Sequence, residues 1–103
     1  MSIPSVISAE VQKVFIDKYF LDDIGLAIIN EHFKRENITL SIIDDTIYLK
    51  FNKNNSVFKL DEHRIIKRLV QLYSTKNEKR SIYPEYLNLI NKQSQTPPKL
   101  ESN

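Results

Sequence analysis

The chain has 103 residues, enough for one domain and too few for two. It contains no cysteine, which excludes a disulfide scaffold, a thiolate metal site and a cysteine nucleophile, and its single glycine, Gly25, excludes glycine-rich phosphate loops. The net charge of +2 hides an asymmetry: residues 1–50 carry five Lys/Arg against eight Asp/Glu, and residues 51–103 ten against five, so the C-terminal half can present a basic face.

Hydrophobic residues make up 41% and charged ones 27%, which places the chain among ordered globular proteins. No stretch is apolar for the roughly 18 residues a bilayer span requires, and Met1 to Val6 lacks a charged leader before an apolar run. The expectation is a cytoplasmic protein without membrane contact. The abundance of Ile, Lys and Asn is what an AT-rich bacterial, plasmid or phage genome produces.

Ser8 is placed to cap a helix whose Ile7, Val11, Val14, Phe15 and Lys18 share one side at i, i+3, i+4 spacing. Asp22 or Asp23 can cap a second helix with Ile24, Ile28, Ile29 and Phe33 turned inward, and a break near Gly25 separates the two unless one helix runs unbroken from Ser8 to Arg35. Ile38, Leu40 and Ile42, then Ile47, Leu49 and Phe51, alternate with polar neighbours, the period of half-buried strands. A turn at Asp44-Asp45 opposes Ile42 to Ile47, Leu40 to Leu49 and Ile38 to Phe51. A second turn through Lys53-Asn54 opposes Leu49 to Phe58 and Ile47 to Leu60. A one-residue slip would put these side chains in water. The prediction is a three-stranded antiparallel meander over about 38–43, 46–52 and 55–60.

Asp61 is expected to cap a helix from Glu62 to Thr75 with Ile65, Ile66, Leu69, Val70, Leu72 and Tyr73 on its inner side, the nearest cover for the sheet. Ser74 to Arg80 reads as a solvated turn. Pro84 opens a short last helix carrying Tyr86, Leu87, Leu89 and Ile90. The whole is an α+β domain over 1–92, with N-terminal helices and a C-terminal helix pair covering the sheet, and a disordered polar tail over 93–103. Ile43, Tyr48 and Val57 lie on the outer sheet face, for the first helices or a partner to cover.

Catalytic constellations are missing. His32 and His63 lack metal-ligand spacing, the serines fall at caps, turns or the outer sheet face without a nucleophile elbow, and Asp22-Asp23 and Asp44-Asp45 suit a cap and a turn rather than a two-carboxylate cleft. The expectation is a non-enzymatic protein with neither cofactor nor metal. Arg64, Lys67, Arg68 and Gln71 fall on the outer side of the third helix, with Lys76, Lys79 and Arg80 extending the charge past its end and Tyr83 and Tyr86 beside it. Such a set can track phosphates or anchor a protein interface, although basic residues also suit a solvated helix end. A helix-turn-helix with Gly25 in its turn fits poorly, because Leu21 and Glu31 then occupy the wrong core positions. A winged arrangement has its reading helix before the wing, whereas the basic helix here comes after the Asn52–Asn55 hairpin. The expected function is binding of a protein partner, as an inhibitor, immunity protein, antitoxin or adaptor does. The alternative is a DNA- or RNA-binding regulator using the basic helix 62–75, and a homodimer is compatible with either.

Overall fold

The computed structural model describes residues 7–93, and the tail expected from 93 onward lies outside them apart from Gln93, which closes the last helix. Two helices, α1 (Ala9–Tyr19) and α2 (Asp23–Arg35), precede strands β1 (Ile38–Ile43), β2 (Thr46–Phe51) and β3 (Ser56–Lys59), and α3 (Arg64–Leu72) and α4 (Pro84–Gln93) follow. This is the expected α+β order, helix pair, antiparallel meander, helix pair.

Local chemistry explains the boundaries. The Ser8 hydroxyl accepts from the Val11 N–H to start α1. The chain then breaks at Phe20, not Gly25: Phe20 takes a left-handed conformation, φ 60°, and its N–H reaches back to Ile16. The Asp22 carboxylate caps α2 by accepting from the Gly25 N–H at 2.9 Å. Gly25 sits inside the first turn of α2, where a Cβ would stand 2.8 Å from the Tyr73 carbonyl oxygen. Glycine therefore serves close approach of α2 to the end of α3, since backbone oxygen yields no room to a side chain.

The first hairpin has the expected register, Ile38 with Phe51, Leu40 with Leu49 and Ile42 with Ile47. Asp44 and Asp45 both have positive φ, 50° and 62°, the backbone a two-residue type I′ turn requires. The second hairpin closes with the Asn54 N–H on the Phe51 carbonyl and Asn55 at φ 60°, and Leu49 faces Phe58 as expected. The ladder stops at Lys59, so the expected pairing of Ile47 with Leu60 does not form. Leu60 instead enters a 3-10 turn, Leu60–Glu62, which delivers its side chain to the core with no exposed surface.

The buried residues form one cluster drawn from α1, α2, the sheet, the 3-10 turn, α3 and α4. At about 1.5–3 kcal/mol for each fully buried large side chain, Phe15, Phe33, Leu26, Ile29, Ile47, Leu49 and Leu60 dominate its stability. Helices α1 and α2 pack on β1 and the 3-10 turn on β2, whereas α3 lies mainly on α2 and that turn and α4 on α2. The direct lid of the sheet is thus the N-terminal helix pair, and α3 joins the core from beside it. Among the described residues nothing covers Ile43 and Val57 on the outer sheet face, 58% and 57% exposed, so the first helices do not reach them. Asn30 is fully buried among these apolar side chains, and neither of its amide atoms has a hydrogen-bond partner among the described residues. No helix among the described residues is long and apolar enough to cross a membrane.

Candidate functional site

The basic helix is shorter than expected, Arg64–Leu72 in place of 62–75, and His63 rather than Asp61 caps it. The His63 Nδ1 accepts from the Ile66 N–H at 3.2 Å. Asp61 is used elsewhere: its carboxylate accepts from the Tyr19 hydroxyl at 2.5 Å and pairs with Lys18 at 3.2 Å. Burial pushes the Asp61 carboxyl up, but the hydrogen bonds from Tyr19 and Lys18 outweigh it and hold the group below its usual range. Burial, then the Asp61 hydrogen bond and charge, push the Tyr19 hydroxyl above its ordinary value. The start of α3 is in this way tied to the end of α1.

The other end of α3 is tied to the α1–α2 junction. The Thr75 N–H donates to the Phe20 carbonyl at 2.8 Å, and Arg80 reaches Asp22 at 2.7 Å and the Tyr73 carbonyl at 3.4 Å. The segment after α3 is a turn with Thr75, Lys76, Glu78 and Lys79 in solvent, as expected, but Ser74 is buried and the Asn77 amide donates to the Leu72 carbonyl, so its inner side is a fitted joint. The Arg80 guanidinium also lies 4.9 Å from the ring centre of Tyr86. Its hydrogen bond to Asp22 raises Arg80 further above its usual value. For Asp22, burial alone would raise the carboxyl, but Arg80 and the Gly25 N–H hold it below the ordinary carboxylate range.

These contacts sort the expected binding residues. Arg80 and Tyr86 are taken up inside the protein, Tyr86 being buried and Arg80 bonded to Asp22, so neither lies on an open face. Tyr83 is half-buried with its ring edge-on to Tyr73, 5.8 Å between centres, and Lys67 is half-buried near Asp61. Lys79 is exposed in the joint, where its N–H donates to Asn77. Lys76 is exposed with its ammonium 4.0 Å over the Phe20 ring. Arg64, Arg68 and Gln71 are exposed along one side of α3. Among the described residues neither Arg64 nor Arg68 forms an ion pair, and they stand one helical turn apart.

The residues not anticipated on this face are apolar. Ile65, placed inside by the helical reading, is 74% exposed, and Phe58, on the inner side of the sheet, is 42% exposed. On a helical wheel Ile65 falls roughly 100° from Ile66, at the margin of the stripe that actually buries, and only the offset of α3 from the sheet leaves it outside. Phe58 lies on the edge strand β3, beyond the helices that cover β1. The rings of Phe51 and His63 flank its ring, at 5.7 Å and 5.3 Å between centres. Phe58, Ile65, Arg64, Arg68 and Glu62 line a shallow groove of about 690 Å³ with His63 at its floor. Arg68 also borders a second depression of about 570 Å³, with Phe20, Gln71 and Lys76 on its walls. The two depressions share Arg68, and cations and exposed apolar side chains line both.

Other concavities differ in character. One of about 860 Å³ lies between α1 and the first hairpin, lined by Glu10, Lys13, Asp17, Lys18, Asp44 and Asp45 among others. Another of about 500 Å³ lies between α2 and α4, with Ile28 and Leu89 below and His32, Arg35, Glu85 and Lys92 at its rim. There burial and the nearby Arg35 lower His32, and the Tyr73 hydrogen bond lowers Glu85. Among the described residues no three His, Asp or Glu side chains converge as metal ligands. Comparison with protein-family models, curated proteins and solved structures returns no match.

Proposed function

We propose that this is a small non-enzymatic, cytoplasmic binding protein that docks a protein partner on the outer face of α3 and the adjoining edge of β3. The observation that carries the reading is Ile65, 74% exposed beside two guanidinium groups that form no ion pair among the described residues. A phosphate-tracking face gains nothing from an exposed aliphatic side chain, whereas interfaces join apolar anchors to arginines and exclude water from both. Such a rigid, preformed face suits an inhibitor, immunity protein, antitoxin or adaptor.

A second reading, binding of DNA or RNA, draws on the exposed Arg64 and Arg68 together with Lys76 and Lys79. Salt separates the two. Copurification from producing cells is expected to return a protein that stays bound in high salt and is lost from the Ile65→Asp variant. Mixed-sequence DNA and RNA are expected to show no gel shift at low salt. A shift that weakens steeply with salt and disappears in an Arg64→Ala/Lys67→Ala/Arg68→Ala variant would instead establish the nucleic-acid reading.

A further inference from the structure

Resting on the docking-face reading above, we infer that the partner's contact surface is acidic: two carboxylates spaced one helical turn apart seat on Arg64 and Arg68, with an apolar group between them against Ile65 and Phe58. The two guanidinium groups on this face outnumber the one carboxylate, Glu62, that lines the groove with them. Lys18 is paired with Asp61 and Arg80 with Asp22, but Arg64 and Arg68 meet no carboxylate among the described residues. Both ends of α3 are held by bonds to α1 and the α1–α2 junction, so the two guanidinium groups are presented from a fixed helix rather than a loop. A rigid helix loses little order when it docks, which favours a matched ligand over a diffuse polyanion.

Spacing and chemistry together define the ligand. Residues four apart on a helix lie about 5–6 Å apart at their Cβ atoms, the separation that Glu side chains at i and i+4 of a partner helix also have. Guanidinium binds carboxylate through paired N–H donors. Ile65 follows Arg64 directly, so a partner helix lying along α3 with Glu, an intervening Leu and Glu satisfies both charges and covers the aliphatic side chain. Glu62 at the groove's edge repels a carboxylate placed further toward β3 and sets the register.

The test is selection from a displayed library of helical peptides in which Glu, Lys, Leu and Ala occur at equal frequency, on the immobilised full chain. Peptides with Glu at i and i+4 flanking Leu are expected to be enriched. Their affinity should fall roughly tenfold or more on the Arg64→Glu/Arg68→Glu variant and recover when the peptide's Glu residues are exchanged for Lys. All three substituted positions are exposed, and thermal melts verify that the variants remain folded. Enriched peptides that lack Glu but are lost on Ile65→Asp would overturn the acidic partner while leaving the docking face in place. Enriched peptides indifferent to Ile65→Asp, or no enrichment at all, would overturn both.

Discussion

Individual side chains in this protein act mainly as fasteners, and Asp22 is the clearest case. It caps α2 through the Gly25 N–H and holds Arg80 from the joint after α3, joining the two halves of the chain. Because its carboxyl is held below the usual value of about 3.9, the stability it lends is complete above that pH and is lost as pH falls through the depressed value. Asn keeps the capping oxygen but removes the charge. Asp22→Asn is therefore expected to lower stability by about 0.5–1 kcal/mol at pH 7, the scale of a partly exposed ion pair. In acid, once the pH lies below that depressed value, the two proteins should converge. Urea midpoints measured at both pH values check this, and a constant difference across the range would show that the ion pair contributes nothing. None of this pairing was legible in the sequence, because residues 22 and 80 meet only through the tertiary fold. The cap itself was legible, since it depends on neighbours three residues apart.

At the scale of elements, the hairpins were the most legible part of the chain. Strict alternation either side of Asp44-Asp45 leaves only one register that buries Ile38, Leu40, Ile42, Ile47, Leu49 and Phe51 on the same side, and that register is the one formed. The turn itself is under mild strain, with two non-glycine residues at positive φ. Asp45→Gly is expected to raise stability by about 0.5 kcal/mol, and Asp44→Val to lower it by about 1–2 kcal/mol, because a β-branched side chain resists the left-handed region. Thermal melts distinguish these outcomes, and equal melting points would contradict the type I′ assignment. The helix boundaries were less legible. A Ser, Asp or Asn is the usual cap, so local propensity points to Asp61 rather than to His63. The 3-10 turn that displaces the start of α3 answers the need to bury Leu60 at the sheet's edge, a demand set by packing rather than by local propensity.

In the whole molecule, the position of α3 beside the sheet's lid rather than over it decides what the surface offers. Were α3 seated flat on the sheet, its full apolar stripe from Ile65 to Leu72 would be covered and its outer face would be a plain array of cations. Seated on α2 and the 3-10 turn, it leaves Ile65 outside among them, next to Phe58. The basic residues of the face were visible in the sequence as a cluster on one helical side. Its apolar half was not, because periodicity assigns Ile65 and Phe58 to the interior and only the three-dimensional offset uncovers them. The same offset draws Arg80 and Tyr86 inward to fasten the joint.

Photo-crosslinking from position 65 of the otherwise unchanged chain, in the cells that produce it, tests the docking face most directly. An adduct that resists nuclease, is digested by protease and disappears when Arg64 and Arg68 are both changed to Glu is the predicted result. A nuclease-sensitive adduct, or no adduct from this position while one forms from Ile43 on the open sheet face, would contradict it.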